Sequence, residues 1–199
     1  MRKTGFVFSI AVAALLVATP AMGQLLNYPI VALPAGDADG ATSIGAGWGR
    51  GLNEDSGKLN AFGVGITRAM ETVSYSVAGV YVNSSDIGLG GRLAYNGLAE
   101  NIGIQGGIEW KSPDAGTQLN LPIGISFSGG SESVTYSVMP RVQFTRTSAS
   151  SATTTETDFG ASAGIAFVTE GGVGLGLSGD WVSGTSSILV GAAVYYALP

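Results

Sequence analysis

Bulky apolar residues alternate strictly with small or polar residues along the stretch from Leu119 to Ser128. Because a β-strand directs successive side chains to opposite faces, one face of this stretch carries leucine, isoleucine and phenylalanine, and the other carries asparagine, proline, glycine and serine. A half-buried strand of a soluble protein would carry long polar or charged side chains on its second face. We therefore interpret the stretch as one strand of a closed barrel, with its apolar face toward lipid and its small-residue face toward the lumen.

The same unit, about ten alternating residues followed by a turn cluster, recurs from Ala41 onward and is typical of transmembrane β-barrels. It predicts an all-β protein that forms a closed antiparallel up-and-down transmembrane barrel of ten strands, with eight strands as the alternative count. The predicted strands are Ala41–Gly51, Lys58–Arg68, Val73–Asn83, Asp86–Asn96, Asn101–Trp110, Gln118–Ser128, Ser133–Thr145, Thr157–Val168, Gly172–Val182 and Ser186–Ala197.

The predicted connectors alternate in length. If the N-terminus lies on the periplasmic side, every connector on that side is short, and the longest connector, Arg146–Glu156, faces outward. Long outer loops and short periplasmic turns are typical of outer-membrane barrels. We expect the hydroxyl-rich segment Arg146–Glu156 to be a loop and the surface best suited to recognition, although a solvated loop that binds no partner is the stronger expectation.

The aromatic residues favour the same orientation. Of the fourteen aromatic residues from Ala41 onward, thirteen fall on the predicted lipid-facing phase and only Tyr195 points inward. The thirteen form two predicted girdles, an outer one of Trp48, Phe62, Tyr81, Trp110, Phe144, Phe159 and Trp181, and a periplasmic one of Tyr75, Tyr95, Phe127, Tyr136, Phe167 and Tyr196. Paired girdles are typical of membrane barrels. The core of a soluble secreted β-sandwich, the competing interpretation, gives no reason to place aromatics at strand ends.

The composition agrees with a membrane environment. Charged residues make up 12% of the chain, and 32 of the 199 residues are glycine, whereas ordinary globular proteins contain about 25% charged residues. Residues 1–23 resemble a secretory signal peptide, with Arg2 and Lys3 before an apolar run and Ala21-Met22-Gly23 as a small-x-small cleavage site. We expect residues 24–40 to form an irregular periplasmic leader and residues 41–199 to form the outer-membrane barrel.

The charge balance argues against one class of partner. Without the signal segment, seven lysine and arginine residues stand against fourteen aspartate and glutamate residues. Nucleic-acid binding requires a basic surface that neutralises phosphates. We therefore expect no nucleic-acid partner.

Few charges fall inside the predicted strands, and those that face inward are two of each sign. We predict a polar network in the lumen formed by Arg92, Gln105, Glu109, Asn120, Arg141, Gln143 and Asp180. The favoured interpretation is a structural network that fills and rigidifies the lumen. The alternative is a constriction that selects or gates a small solute.

The chain lacks two residue types that many enzymes use in catalysis. It contains no histidine, the usual general base and the commonest metal ligand, and no cysteine. We therefore expect no catalytic, cofactor-binding or metal-binding residues. A carboxylate pair such as Glu109 and Asp180 could do acid and base work in principle, but we expect these side chains to form salt bridges instead.

Two prolines interrupt the pattern. Pro122 and Pro140 lie inside predicted strands, and proline has no backbone N–H to donate to a neighbouring strand. We expect a bulge or locally weakened pairing at each position.

At its C-terminus the chain carries Gly191-x-x-Val194-x-Tyr196, a spacing of glycine, hydrophobic and aromatic residues. With the strand pattern from Ala41 to Tyr196, it resembles the small bacterial outer-membrane β-barrel proteins, the family of the OmpA-type transmembrane domain and the opacity proteins. The spacing resembles the signal that the barrel-assembly machinery reads on the last strand, but Leu189 stands where the family prefers a polar residue, and Ala197-Leu198-Pro199 follow the aromatic residue.

The resemblance implies a monomeric, non-enzymatic barrel in contact with outer-membrane lipid, inserted by the barrel-assembly machinery. Its implied role is structural or one of surface interaction. A narrow passive pore for small solutes is the alternative function, and a soluble secreted β-sandwich that acts as a binding module is the second alternative.

Overall fold

The computed structural model describes residues 42–52, 60–70, 72–82, 86–99, 101–112, 116–131, 134–150, 152–169, 172–184 and 187–198. Its ten strands are β1 (Thr42–Gly51), β2 (Asn60–Met70), β3 (Val73–Val82), β4 (Asp86–Ala99), β5 (Ile102–Ser112), β6 (Gly116–Ser131), β7 (Val134–Ala149), β8 (Thr153–Val168), β9 (Val173–Val182) and β10 (Ser187–Leu198). Within these ranges, no helix is long and apolar enough to cross a membrane. The predicted signal peptide and the predicted leader lie outside the described residues.

The ten strands close into one barrel. Each strand pairs antiparallel with its neighbours in the chain, and β1 pairs with β10 from Thr42↔Leu198 to Gly51↔Leu189. The prediction of a closed antiparallel barrel of ten strands is confirmed, and the eight-stranded and β-sandwich alternatives are wrong. Closure gives every strand of the wall a partner on both sides, which a membrane-spanning sheet needs because lipid offers no hydrogen-bonding groups.

Side chains alternate across the barrel wall. In β3, Ser76 and Ala78 are buried inside, whereas Tyr75 and Val77 are exposed outside. Each of the ten strands exposes large apolar side chains in this way. Soluble monomers rarely expose a contiguous apolar patch larger than a few hundred Å². The continuous apolar exterior is therefore that of a membrane β-barrel, whose outer face is solvated by lipid.

The hairpin between β7 and β8 is longer than predicted. β7 continues to Ala149 and β8 begins at Thr153, so the prediction that Arg146–Glu156 is a loop is wrong. The two strands stay in register through this segment, up to the pair Ser148↔Thr153. The other strand ends agree with the predicted bounds to within three residues.

The physical reason for the longer hairpin lies in its threonines. Threonine is β-branched and favours extended backbone, and paired threonines on adjacent strands stabilise a sheet. Thr147 and Thr154 are such a pair, and the Thr153 hydroxyl donates to the Ser148 hydroxyl oxygen at 3.4 Å. A hydroxyl-rich run has no apolar alternation, so its sequence resembles a loop even where it forms a strand.

Both strand prolines weaken the local pairing, as predicted. Beside Pro122, two successive pairs are absent from the ladder between β5 and β6. Beside Pro140, two successive pairs are absent from the ladder between β6 and β7. The register is the same on both sides of each gap, so these are interrupted ladders and not bulges.

The lipid-facing orientation can be tested with one charge at two depths. Ile123, in the middle of β6, and Ile87, at the outer end of β4, point outward and are 51% and 55% exposed. We expect Ile123→Lys to lower the free energy of unfolding by about 2–4 kcal/mol and Ile87→Lys by about 0–1 kcal/mol, because a charge costs most at the bilayer midplane. Denaturant titration in phospholipid vesicles measures both values. If the two lysine variants lower the free energy of unfolding equally, the lipid-facing orientation is contradicted.

Candidate functional site

Two opposite charges meet inside the barrel. Arg141 on β7 and Asp180 on β9 form a two-pronged ion pair, in which Nη1 donates to Oδ1 at 2.6 Å and Nη2 donates to Oδ2 at 2.9 Å. Ser162, on the intervening strand β8, accepts a hydrogen bond from Nη1 and donates one to Oδ1, each at 2.6 Å. The charged side chains are 0% and 1% exposed. The pair therefore lies where water is excluded, and each charge depends on the other.

Glycines on both neighbouring strands make room for this arginine. Gly160 on β8 and Gly124 on β6 are its register partners. A Cβ atom at Gly160 would lie 3.1 Å from the guanidinium carbon of Arg141, and one at Gly124 would lie 2.9 Å from the Arg141 Cβ atom. The arginine thus occupies space that any larger residue at these two positions would take.

A second polar group lies on β4 to β7. Glu109 on β5 is buried, and the side-chain amide of Asn120 on β6 donates to its Oε2 at 3.4 Å. Arg92 on β4 is a diagonal cross-strand neighbour of Glu109, whose negative charge attracts it. Gln143 on β7 donates from Nε2 to the hydroxyl oxygen of Thr145 at 3.2 Å. One negative and one positive charge are thus balanced among neutral polar side chains.

The seven polar residues predicted for the lumen all lie on its inner face, six of them buried and Arg92 half-buried. Four of the seven, Arg92, Gln105, Glu109 and Arg141, line one cavity of about 10 Å³. A single water molecule needs about that much space. The structure thus brings these four together around a small space, while the other three contact the partners described above.

The sequence interpretation missed Ser162 and Thr145, which complete these hydrogen bonds. Both lie on the same inward phase as Arg141, so alternation alone places them in the lumen. The partners of Ser162 depend on the register of β7 with β8 and of β8 with β9, which no local pattern specifies, whereas Thr145 accepts from Gln143 of its own strand.

An apolar cluster occupies another part of the lumen. Ala61, Val80, Val82 and Leu189, from β2, β3 and β10, are buried together. Leu189 is the residue that departs from the polar preference of the resembled family. Here it is 2% exposed and contributes to this cluster, so its apolar character matches its surroundings.

Tyr195, the one aromatic residue predicted to point inward, is 3% exposed in the lumen. Its register partners are Gly45 on β1 and Gly174 on β9. A Cβ atom at Gly174 would overlap the tyrosine ring. The ring therefore packs over a glycine and fills space that the small side chains of the wall leave.

All thirteen aromatic residues assigned to the girdles point outward. At the end predicted to face outward, Trp48 pairs with Phe62, and Phe62 pairs with Tyr81, which places three aromatic side chains side by side on adjacent strands. At the opposite end, Tyr196 pairs with Ile44 and Val173. The arrangement of the thirteen as two girdles at the bilayer interfaces remains a prediction.

The buried carboxylates of the lumen are bonded to side chains of the barrel itself. The Asp180 carboxylate accepts hydrogen bonds from Arg141 and Ser162, and the Glu109 carboxylate accepts one from Asn120. Among the described residues, no group of three or more histidine, cysteine, aspartate or glutamate side chains could hold a metal ion.

The chain matches no protein-family model and no curated protein sequence. Several solved structures have a similar fold. The KdgM porin is 8% identical, with 79% of this chain and 99% of that chain covered and a TM-score of 0.47, and the NanC porin is 8% identical, with coverages of 78% and 100% and a TM-score of 0.48. The translocator domain of the autotransporter NalP from Neisseria meningitidis is 11% identical, with coverages of 98% and 94% and a TM-score of 0.45. These similarities carry no conclusion about function, and the resemblance to the OmpA-type and opacity proteins remains a prediction.

The buried ion pair predicts a marked asymmetry between single and double substitutions. We expect Arg141→Met to lower the free energy of unfolding by about 3–5 kcal/mol, because it leaves the buried Asp180 carboxylate without its cation. Adding Asp180→Leu should restore most of that loss, since apolar replacement of a whole buried pair is often neutral. Arg146→Met, which removes an exposed arginine of the same strand, is the control. If denaturant unfolding shows that Arg141→Met and Arg146→Met lower the free energy of unfolding equally, this role of the pair is contradicted.

The packing of Tyr195 predicts a second pairwise effect. We expect Gly174→Ala to destabilise the barrel by about 1–3 kcal/mol through overpacking against the tyrosine ring. In a Tyr195→Ala background the same substitution should cost little, because the ring is gone. Gly179→Ala on the same strand, where a Cβ atom would make ordinary contact, is the control. If Gly174→Ala destabilises the barrel as much in the Tyr195→Ala background as in the wild type, the tyrosine ring is not the cause of the destabilisation.

Proposed function

We propose that the protein is a non-enzymatic integral β-barrel of the bacterial outer membrane, with a structural or surface-interaction role and a lumen that does not conduct. The observation that carries this proposal is the filling of the lumen. Side chains on its inner face are almost completely buried along the length of the barrel, from Ser43 through Glu109 and Asp180 to Leu189. A water-filled channel would leave such side chains accessible to solvent.

The outer-membrane location is supported by two independent features. The exterior of the barrel is apolar, with aromatic side chains concentrated toward the strand ends, as expected for a bilayer-spanning barrel. The first 23 residues have the pattern of a signal peptide. We infer that the chain is exported, that the barrel-assembly machinery inserts it through the signal at Gly191 to Tyr196, and that it acts as a monomer surrounded by lipid.

Different kinds of packing close the lumen. The Arg141–Asp180 pair and the group around Glu109 fill it with polar side chains that neutralise one another. The cluster that includes Val82 and Leu189 fills it with apolar side chains. The aromatic ring of Tyr195 fills a further part of the lumen. The cavity of about 10 Å³ beside the charged residues is too small for a hydrated solute to pass.

The non-enzymatic character is supported by the same contacts. A general acid or base must reach a substrate atom within hydrogen-bond distance. The buried carboxylates instead contact arginine, serine and asparagine side chains of the barrel itself. With no histidine and no cysteine in the sequence, the chain also lacks the common nucleophile and base combinations.

Reconstitution separates this proposal from the pore alternative. We expect the purified, folded protein to give no conductance steps in planar lipid bilayers, and Arg141→Ala to leave that result unchanged if the variant still folds. A porin reconstituted under the same conditions is the positive control, and heat-modifiable gel migration verifies folding of each sample. Reproducible steps from the wild-type protein would overturn the sealed lumen and support a narrow passive pore.

A further inference from the structure

Beyond the barrel wall, the ends of β6, β7 and β8 form a small three-stranded sheet, which we call the outer sheet. β6 pairs with β7 as far as Gly116↔Ala149, and β7 pairs with β8 as far as Ser148↔Thr153. β9, in contrast, pairs with β8 only from Gly160 onward. Gly184, in the turn after β9, lies beside Asp158. No described strand lies beside Thr153–Thr157 on the side away from β7, so this part of β8 is an edge strand.

The direction of the backbone groups along this edge follows from two hydrogen bonds. The Phe159 carbonyl accepts from the Ser183 amide at 2.8 Å, so Phe159 points its backbone groups toward β9. The Ala152 carbonyl accepts from the Ala149 amide, so Ala152 points toward β7. Because these directions alternate along an antiparallel strand, Thr153, Thr155 and Thr157 direct their N–H and C=O groups to the open side.

Thr153, Thr155 and Thr157 are all exposed. Threonine favours extended backbone, and the segment Thr153–Asp158 contains no proline, lysine or glycine, residues that often prevent an edge from pairing. The edge therefore has the features of a site for β-augmentation, in which a partner adds one strand through main-chain hydrogen bonds.

The charge of the edge indicates the kind of strand that fits it. Glu156 and Asp158 lie on the same face of β8, two residues apart, and Glu156 is exposed. Because Glu156 points its backbone groups toward β7, a residue placed opposite it on the open side occupies a non-hydrogen-bonded pair, in which side chains approach most closely. A lysine or arginine at that place would face the carboxylate directly.

A second copy of the chain fits the edge poorly. Barrels in one membrane are related by an axis along the membrane normal, and barrel strands are tilted by about 35–45° from that normal. Two copies of one tilted edge related by a two-fold axis would cross at about 70–90°. Such strands are far from the antiparallel alignment that continuous pairing needs.

We propose that the open edge of β8, Thr153–Thr157, binds an extended, basic segment of a partner protein as a fourth strand of the outer sheet. The exposure of this edge on the cell surface rests on the proposed outer-membrane location. Strand addition itself does not, because the edge is present in the isolated barrel. The edge begins beside Phe159 and the Phe144↔Thr157 pair, where β9 no longer pairs with β8, and unpaired backbone is tolerated only outside hydrocarbon.

A synthetic peptide of alternating valine and lysine is a suitable probe for purified protein in detergent micelles. Thr155→Pro removes one amide donor from the open edge without removing a hydrogen bond to β7, and Thr155→Val, which keeps that donor, is the matched control. We expect fluorescence anisotropy to show binding to wild type and Thr155→Val, and binding about five- to tenfold weaker to Thr155→Pro. Glu156→Lys should weaken binding of the same peptide.

Two results would overturn the proposal: no binding of the peptide to the folded wild-type barrel, or equal binding to Thr155→Pro and Thr155→Val. Since the chain has no cysteine, Thr155→Cys introduces a single thiol. Disulfide-linked dimers of this variant in vesicles would also overturn the proposal, because they would show that a second copy of the chain occupies the edge. Failure of an impermeant maleimide to label it on intact cells, with peptide binding preserved, would count against the outer-membrane orientation and leave the edge proposal standing.

Discussion

Lipid offers no hydrogen-bonding groups, so every backbone N–H and C=O within the bilayer must find its partner in the protein. Ten strands meet this constraint by closing on themselves, with β1 paired to β10. The alternation of side chains follows, because a single-layered wall has one face toward lipid and one toward the lumen. Within the described strands, full pairing is interrupted beside Pro122 and Pro140 and between Tyr95 and Ala99, where the register of β4 with β5 shifts. Beyond the wall, it ends at the exposed edge of β8.

The narrow lumen determines which side chains can occupy it. Most inward positions carry glycine, alanine or serine. Two of the larger inward residues are placed against glycines, Arg141 against Gly124 and Gly160 and Tyr195 against Gly174. A buried ion pair costs desolvation energy that the attraction between its charges does not always recover. Its value here is positional, because a two-pronged arginine and carboxylate pair across β8 fixes β7 and β9 relative to each other.

The fold could be predicted from sequence because the relevant signal is local. A period of two in Leu119–Ser128 specifies a strand and its faces without knowledge of any other residue. The contacts of the site could not be predicted in this way. That Arg141 and Asp180 point inward follows from phase, but that they meet across Ser162 depends on two registers set by the turns between strands. The prediction for Arg146–Glu156 was wrong for a different reason. The segment is exposed on both faces, so it has no apolar alternation to distinguish a strand from a loop.

The pairing of β1 with β10 has a kinetic consequence. Thr42 and Leu198 are register partners although almost all of the described chain lies between them. Contacts of such sequence separation form slowly, since the entropy of closing the loop must be lost before the contact contributes. The barrel cannot be completed until its last strand is available, so β1 and β10 each have an unpaired edge until that moment. Until they meet, two apolar, hydrogen-bonding edges are exposed together, and this interval is when the protein is most vulnerable to aggregation.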